Sequence, residues 1–226
     1  FHPWPTDGGW KDLFDGETLM GWDGDPRFWN VQDGAITGTT TVDNPTDGNT
    51  FLICVGENKD RKPAEFGDFE LQLEYRIVGH NSGIQYRSFK LRGENDGWRV
   101  GGYQADFDAR KEWAGANYEE QGRGILAKRG QNITINVIDG SKFIGLGTLG
   151  DPATMAEKIL DAPGWNELRV TAMGNRLSHH INGVLMSRVV DEDKENRRAS
   201  GLIAIQLHDG APMQVQVRRI RIRSTR

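Results

Sequence analysis

The sequence predicts an all-β protein, a two-sheet antiparallel β-sandwich of the jelly-roll type with a concave face that binds a ligand. Three observations support this fold class: many short strand-like segments, turn signals roughly every 8 to 12 residues, and hardly any helical periodicity. The clearest strand covers Asp68 to Val78, where apolar and polar residues alternate. A helix would scatter these apolar residues around its circumference, so one face of this strand is expected to lie in the core.

Turn dipeptides predict hairpins at three places in the chain. The segments on either side of Gln32-Asp33-Gly34 are strand-like, and Asp-Gly is a preferred two-residue hairpin turn. Gly174-Asn175 and Asn182-Gly183 separate three later strand-like segments in the same way. The segment Thr50 to Cys54 shows no alternation, so it is expected to be a strand buried on both faces.

Two local signals predict departures from plain strands. Asp151 followed by Pro152 predicts the start of a short helix, because Asp caps helices and Pro suits the first helical position. The last strand, Met213 to Arg223, has its apolar residues at odd positions before Arg218 and at even positions after Arg219. This change of phase predicts a β-bulge at one of those two arginines.

Residues 1–226 are interpreted as a single jelly-roll domain, because the sequence shows no linker, repeat or low-complexity segment. Residues 1–10 are predicted to form an irregular N-terminal arm, and residues 109–130 a long loop beside the ligand cleft. The single cysteine excludes an internal disulfide. Because the chain starts at Phe1 without a methionine, a removed signal peptide and a secreted or periplasmic location are expected.

Composition argues against several classes of partner. The net charge is -4 and no basic face with interleaved aromatics occurs, so nucleic acid is not an expected ligand. The basic run Arg218 to Arg223 alternates like a strand and is interpreted as a solvated strand face. No apolar run approaches the roughly 20 residues that a membrane span needs. The string Gly145 to Gly150 matches a dinucleotide fingerprint, but its surroundings are β-rich, so no nucleotide cofactor is expected.

Three strand-like segments place Gln, Arg, Asp or His on the face that is expected to meet solvent. The usual residues on such a face are Lys, Thr and Ser. If these segments belong to one sheet, their side chains converge on a polar cleft floor. The converging residues are Gln85, Arg87, Gln104, Asp106, Gln206 and His208. A histidine beside a carboxylate suits a general base or a metal ligand, and an arginine suits an oxyanion or carbonyl. The alternative is a hydrogen-bonded sheet face without chemistry.

Several other residues are compatible both with a role in sugar chemistry and with a purely structural role. Ordinary glycoside hydrolysis needs two carboxylates at a set separation, and aromatic rings stack on sugars but more often pack in cores. The candidate carboxylates are Asp106, Asp108, Glu119 and Glu120, and the candidate rings are Trp22, Trp98, Tyr103, Trp113 and Tyr118. His179 is expected to be semi-buried with its hydrogen bonds satisfied, and His180 to face solvent.

An ordered set of short motifs extends from about Trp10 to Arg223. The motifs are Leu13-Phe14-Asp15-Gly16 with Gly21-Trp22, Phe69-Glu70-Leu71, Asn81-Ser82-Gly83-Ile84-Gln85-Tyr86-Arg87, Gly102-Tyr103-Gln104-Ala105-Asp106, Trp165-Asn166, Asn182-Gly183, and Gly201-Leu202-Ile203-Ala204-Ile205-Gln206-Leu207-His208. As a set they resemble the 3-keto-disaccharide hydrolase family, whose fold is a concanavalin-like jelly roll. Many members read Gly-Tyr-Glu-x-Gln where this chain has Gly-Tyr-Gln-Ala-Asp.

The resemblance implies cleavage of the glycosidic bond in a sugar already oxidised at C3. The C3 carbonyl acidifies the C2–H bond, a base removes that proton, and the glycosidic oxygen leaves C1. Water then adds back, so the net result is hydrolysis. The chemistry needs a base, a group that stabilises the enolate, and an acid for the leaving oxygen.

The polar floor and the predicted loop contain candidates for each of these roles. His208 is the expected base or metal ligand, Asp106 its partner or co-ligand, and Arg87 the group that steadies the enolate. Tyr118 or Glu120 is expected to protonate the leaving oxygen. The residues expected to bind the sugar are Gln85, Tyr103, Gln104, Trp113, Arg123 and Gln206. One divalent metal ion, held by Asp106 and His208, is a further expectation.

Two other functions fit the same residues. A non-catalytic carbohydrate-binding module could use the polar floor and the aromatic rings to hold a sugar without turnover. A hydrolase of unoxidised glycans could use a carboxylate pair. The fold alone does not separate these functions from cleavage of a keto sugar.

Overall fold

The computed structural model describes residues 9–56, 62–91, 97–138 and 141–224, with the backbone alone at 138 and 141–143. The strands are β1 Lys11–Asp12, β2 Trp22–Asp23, β3 Trp29–Gln32, β4 Ala35–Thr39, β5 Thr50–Cys54, β6 Phe69–Gly79, β7 Asn81–Lys90, β8 Val100–Asp108, β9 Asn117–Glu120, β10 Gly124–Ala127, β11 Gln131–Ile138, β12 Ser141–Thr148, β13 Asn166–Met173, β14 Arg176–Ile181, β15 Val184–Asp191, β16 Leu202–Leu207 and β17 Met213–Ser224. The helix is α1 Pro152–Ala156. Of the predicted arm at 1–10, only residues 9 and 10 lie within the described part.

The strands form two sheets that pack face to face. The larger sheet has the order β12-β11-β15-β14-β13-β6-β17-β4-β3, with β1 added beside β17. The smaller sheet has the order β10-β9-β8-β7-β16-β5-β2. Among the strands of the described residues, the pairing is antiparallel apart from the parallel pair β11 and β15. The predicted all-β, two-sheet sandwich is therefore confirmed.

The core lies between the inner faces of the two sheets. In β6 the apolar residues are buried and the intervening residues are partly exposed, as the alternation predicts. Leu71 of this strand shares one apolar cluster with Ile84 of β7 and Ile205 of β16. Each such side chain contributes roughly 1.5–3 kcal/mol by leaving water, so the alternation fixes which face of each strand turns inward. Strand β5 is buried along its whole length, also as predicted.

His179 is fully buried between the sheets and satisfied by hydrogen bonds. Its Nε2 lies 2.9 Å from the Tyr86 hydroxyl and its Nδ1 lies 3.1 Å from the carbonyl of Ala116. Burial lowers the pKa of His179 to about 3, so the ring stays neutral at ordinary pH. The prediction of a satisfied structural histidine is confirmed, although the ring lies deeper than expected. His180, expected to face solvent, is half-buried.

The predicted turns and the helix start are also present. Asp33 and Gly34 have φ values of 50° and 71°, and Asn182 and Gly183 have 49° and 78°, as two-residue hairpin turns require. The Asp151 side chain accepts a hydrogen bond from the Thr154 amide at 2.8 Å and so caps α1. No helix in the described ranges is long and apolar enough to cross a bilayer.

The bulge predicted in the last strand is confirmed. The pairing of β17 with β6 shifts register between Arg218 and Arg221, and Arg219 has a φ of 52°. On the outer face Arg218 donates to Glu74 at 2.7 Å. The basic run therefore forms the polar outer face of the larger sheet, where its charges meet carboxylates across the strands.

The long loop predicted at 109–130 is wrong in part, because this segment contains β9 and β10. These strands extend the smaller sheet beyond β8. Tyr118 and Glu120 face outward from β9, whereas Asn117 and Glu119 face inward, where Asn117 donates to the Tyr86 hydroxyl and Glu119 accepts from Arg123. The segment still forms one wall of the cleft described below.

Candidate active site

The outer face of the smaller sheet carries the predicted polar floor. The register pairs Gln104 of β8 with Gln85 of β7 on one side and with Tyr118 of β9 on the other. Paired residues on neighbouring strands point to the same face. Asp106 lies opposite Gly83, where a Cβ atom would come within 2.6 Å of Gln104 Cγ. Glycine at this position therefore lets the Gln104 side chain lie flat across the sheet.

A cleft of about 280 Å³ lies on this face. Seven of the predicted site residues line it, namely Gln104, Asp106, Trp113, Tyr118, Glu120, Gln206 and His208. The cleft is also lined by Asn49, His80, Asn81 and Ile125, which the sequence analysis does not assign. Residues from β8, β9 and the end of β16 thus bring carboxyl, phenol, amide and imidazole groups into one space.

A directed chain of hydrogen bonds fixes the amides of the floor. Ser88 Oγ donates to Gln85 Oε1 at 2.6 Å, and Gln85 Nε2 donates to Gln104 Oε1 at 2.6 Å. Gln104 Nε2 then donates to Asp106 Oδ1 at 2.6 Å and to Gln206 Oε1 at 3.1 Å. Because Gln206 accepts through its oxygen, its amide hydrogens are left to face a ligand in the cleft.

The pKa values of the acids that line the cleft are raised. Burial raises the pKa of Asp106 to about 8, and the nearby carboxylates of Asp108 and Glu120 add to the shift. Burial also raises the pKa of Glu120 and that of Tyr118. Buried carboxyl groups that stay neutral can act as hydrogen-bond donors or as acids.

His208 offers the opposite chemistry at the end of β16. Its Nδ1 lies 2.6 Å from the carbonyl oxygen of Asp209, so Nδ1 carries the hydrogen. In the neutral ring Nε2 is then an unprotonated acceptor. The ring stacks on His80 with centroids 4.4 Å apart and planes at 23°. The backbone contact and the stacking together fix the orientation of the imidazole beside the cleft.

The Asp108 carboxylate holds the segment that carries Trp113. Its oxygens accept hydrogen bonds from the backbone N–H groups of Glu112, Trp113 and Ala114, the shortest at 2.6 Å. The Trp113 ring stays 39% exposed, which leaves it available to a ligand. Asp108 is one of the candidate carboxylates predicted from the sequence. Its carboxylate stabilises the backbone of the segment that forms one wall of the cleft.

The predicted role of Arg87 is wrong, because its side chain turns away from the cleft. The pairing of β7 with β8 shifts between Tyr86 and Phe89, and Arg87 has a φ of 45°. The guanidinium donates to the carbonyl oxygens of Gly67 and Gly174 and forms an ion pair with Asp68 at 2.7 Å. Arg87 is 1% exposed and connects the two sheets.

We expect Arg87→Met to lower the free energy of unfolding by about 2–4 kcal/mol, because the buried carbonyls and Asp68 lose their donor. Turnover per folded molecule should change less than about threefold, since the residue does not reach the cleft. Chemical denaturation and initial rates check both values. Arg176→Met, at an exposed position, is the matched control and should change stability by less than about 0.5 kcal/mol.

Three residues expected to bind sugar do not line the cleft. Tyr103 points into the interior, where its hydroxyl donates to Asp191 at 2.6 Å. Arg123 lies in the same buried cluster and forms ion pairs with Glu119 and Asp191 at 2.5 and 2.6 Å. Gln85 is on the cleft face but is fully buried, so it supports Gln104 instead of lining the cavity.

Comparison with known proteins identifies the family. The profile of the 3-keto-alpha-glucoside-1,2-lyase-like domain matches residues 9–223, which is nearly the whole chain. The chain belongs to this family. The resemblance seen in the sequence motifs is therefore confirmed. No curated protein sequence matches this family member.

Solved structures with a similar fold include several carbohydrate-related proteins. A protein of Parabacteroides distasonis proposed to be a glycosyl hydrolase is 14% identical, with 96% of this chain and 94% of that chain covered and a TM-score of 0.61. A carbohydrate-binding module of Bacillus subtilis is 14% identical, with 98% and 100% covered and a TM-score of 0.52. A β-glucanase of Bacillus licheniformis is 12% identical, with 96% and 97% covered and a TM-score of 0.51. At these identities the likeness shows the jelly-roll fold alone.

Asn49 and His80 line the cleft but lie in connections between strands, so the alternation along the strands does not point to them. Asn49 precedes β5, and its side-chain oxygen accepts a hydrogen bond from the Asp209 amide at 3.0 Å. His80 is the single residue between β6 and β7. The sequence signal for these two residues is their polar character in connections at the end of a sheet, because loops carry functional groups more often than strands do.

The divalent metal ion remains a prediction for this family member. The described part of the chain contains no group of three or more His, Cys, Asp or Glu side chains arranged to hold a metal. Asp106 and His208 line the same cleft, but Asp106 already accepts a hydrogen bond from Gln104. An ion there would need its further ligands from substrate or water.

Proposed function

We propose that this protein cleaves the glycosidic bond of 3-keto-glycosides, including 3-keto-disaccharides, by elimination followed by hydration. The observation that carries the proposal is the meeting, in one cleft, of an imidazole whose Nε2 is free to accept a proton and of carboxyl groups whose pKa values are raised by burial. His208 supplies the former, while Asp106 and Glu120 supply the latter. The family to which the chain belongs supports the 3-keto sugar as substrate.

In the elimination step His208 Nε2 removes the proton from C2, and the electron pair of that bond moves toward the C3 carbonyl. Asp106, protonated at neutral pH, and the amide of Gln206 donate hydrogen bonds to the developing enolate oxygen, the role that the sequence analysis gave to Arg87. The C1–O bond then breaks, and Glu120 or Tyr118 gives its proton to the leaving oxygen.

The hydration step returns the protein to its starting state. Water attacks C1, and the carboxylate or phenolate left by the first step takes a proton from it. Protonated His208, whose Nε2–H exchanges with solvent between the two steps, delivers a proton to C2. One water molecule is consumed, and the products are the 3-keto sugar and the released alcohol, so the net reaction is hydrolysis.

The decisive experiment compares a 3-keto-α-glucoside with its unoxidised parent in D₂O, with and without a chelator. We expect cleavage of the keto sugar only, and deuterium at C2 of the product beyond that of an enzyme-free sample. Cleavage without C2 deuterium would overturn the elimination route. Cleavage of the parent sugar would instead indicate direct hydrolysis by a carboxylate pair. Loss of activity with chelator, restored by a divalent ion, would support the predicted metal.

A carbohydrate-binding module is the second candidate. The amide chain from Ser88 to Gln206 favours it, because a floor already fixed by its own hydrogen bonds makes a rigid binding surface. Binding of a keto sugar without turnover would select this function. The expected secreted or periplasmic location agrees with either function and remains a prediction.

A further inference from the structure

The larger sheet ends in a long strand with a free edge. Strand β12 lies at one end of this sheet, and among the described residues its backbone pairs with β11 alone. It has eight residues, whereas the strands at the other three sheet ends, β2, β3 and β10, have two to four. A free edge presents a row of N–H and C=O groups to which a strand from another chain can pair. Strand β12 offers the longest such row.

The pairing with β11 determines which backbone groups of β12 point outward. The Leu149 amide, in the same register, donates to the Gly130 carbonyl at 2.8 Å. Hydrogen-bonded and non-hydrogen-bonded pairs alternate along an antiparallel ladder, so the odd-numbered residues of β12 bond to β11. The N–H and C=O groups of the even-numbered residues, among them Ile144 and Leu146, therefore point away from the sheet.

The inner face of β12 carries apolar side chains that the smaller sheet does not cover. Ile144 and Leu146 pair with Ile135 and Ile133, so all four lie on the same face. Ile133 and Ile135 are 3% and 1% exposed, but Ile144 and Leu146 are 59% and 72% exposed. Residues 144–149 include no charged residue, the usual protection of a free edge. The apolar core face thus continues into solvent along an unprotected edge.

The fold itself does not require the two glycines in the middle of β12. Neither Gly145 nor Gly147 has a positive φ. A Cβ atom on Gly145 would meet Thr134 at 3.5 Å, and one on Gly147 would meet Asn132 at 3.4 Å, which are ordinary contacts. Glycine inside a strand weakens it, and one reason for its presence is the close approach of another backbone. These glycines favour pairing of β12 with a second chain.

We propose that two copies of this chain pair through antiparallel β12 strands, with a two-fold axis at Gly145. Ile144 of each copy lies opposite Leu146 of the other, and their outward N–H and C=O groups bond across the axis. Gly145 lies opposite Gly145 of the other copy as a non-hydrogen-bonded pair, with Cα atoms about 4.5 Å apart. Lys142 lies opposite Thr148, so the register sets no two like charges opposite each other.

The length of β12 selects this register and a second copy as the occupant. The outward groups belong to residues 142, 144, 146 and 148, whose midpoint is residue 145. Any other two-fold register leaves at least one of these residues in each copy opposite a position outside the strand. The register at Gly145 also gathers Ile144 and Leu146 of both copies into one apolar cluster. An identical strand thus satisfies both the polar edge and the apolar face.

Cross-linking at the two glycines tests the register. Gly145→Cys places two thiols opposite each other, within the Cα spacing that a disulfide spans. Gly147→Cys is the matched control, because its two thiols are four residues apart along the strands, roughly 13 Å. Cys54, the single cysteine, is buried and does not compete. We expect mild oxidation to give at least about tenfold more covalent dimer from Gly145→Cys than from Gly147→Cys. Equal yields, or more dimer from Gly147→Cys, would overturn the proposal.

Analytical ultracentrifugation tests the dimer without a cysteine. We expect a reversible dimer of the unmodified protein with a micromolar Kd, because one strand pair makes a small interface. Leu146→Lys should raise this Kd about tenfold or more, since the symmetry introduces each charge twice. Val42→Lys, at a side chain that is 81% exposed outside β12, should change it less than about twofold. A dimer unaffected by Leu146→Lys would overturn the proposal. A monomer at about 0.5 mM would also overturn it and leave the edge to a chain of different sequence.

Discussion

His208→Gln should lower kcat on a 3-keto-glycoside by about 10²–10⁴-fold, the range expected when a general base is removed. Glutamine has a similar length and can still bond to the Asp209 carbonyl, but it accepts no proton at ordinary pH. The contact at 2.6 Å and the stacking on His80 fix the imidazole, so the loss should reflect proton transfer more than disorder. Steady-state rates and the incorporation of deuterium at C2 measure the effect together.

His180→Gln is the matched control for this experiment. His180 lies in β14 of the larger sheet and is half-buried away from the cleft. Its replacement should leave kcat within about twofold. If His208→Gln keeps kcat within about fivefold of the wild type while remaining folded, His208 is not the base, and the same deuterium measurement would identify exchange catalysed by another group.

The alternation of side chains was sufficient to predict most of the fold. A strand such as β6 buries one face because burial of each large apolar side chain outweighs any local backbone preference. The bulge near Arg219 could be predicted because the apolar phase changes visibly along β17. Strands β9 and β10 could not, since the inner face of β9 carries Asn117 and Glu119, whose burial depends on distant partners.

The same reasoning explains why Arg87 was assigned wrongly. The assignment assumed that β7 keeps its phase, so that Arg87 follows Gln85 to the cleft face. Its apolar residues change from even positions at Ile84 and Tyr86 to an odd position at Phe89, the signal that located the bulge in β17. The shift at this point rotates Arg87 into the space between the sheets. Reading that phase change would have excluded Arg87 from the cleft.

Tyr103 illustrates a conflict between the alternation pattern and the chemistry of a side chain. It shares odd parity with Ala105 and Phe107, which are buried in the core, so alternation alone places Tyr103 inside. Its predicted role as a sugar ligand rests on the capacity of an aromatic ring to stack on a sugar, and the structure follows the alternation instead. Asp106 and His208 were placed correctly because both lie on uninterrupted runs of alternation, from Gln104 and from Gln206.

Asp106→Asn should make the protein more stable at alkaline pH and leave its stability unchanged near pH 4. Burial raises the pKa of Asp106 from an ordinary value of 3.8 to about 8 in the folded protein. Between these values the folded state holds a proton that the unfolded state has released. The free energy of unfolding therefore falls as pH rises from about 4 to 8 and then levels off. Asparagine has no such proton, so the variant lacks this decline.

The expected size follows from the same two values. A difference of about four units between 3.8 and 8 corresponds to at most about 6 kcal/mol, and water reaching the cleft reduces it, so we expect a gain of several kcal/mol at pH 9. Denaturant titrations at pH 5 and pH 9 measure it. Asp161→Asn, whose side chain is 76% exposed, is the control and should show no comparable change with pH.

The activity of the Asp106→Asn variant tests the proposed role of the neutral acid. The proton that makes wild-type Asp106 a donor is lost as pH rises through about 8, so kcat/KM should fall on the alkaline side with an apparent pKa near that value. An asparagine amide can donate at any pH, and the variant should lose this alkaline decline while keeping part of the activity. An unchanged alkaline decline in Asp106→Asn would assign it to another group and would remove Asp106 from the stabilisation of the enolate.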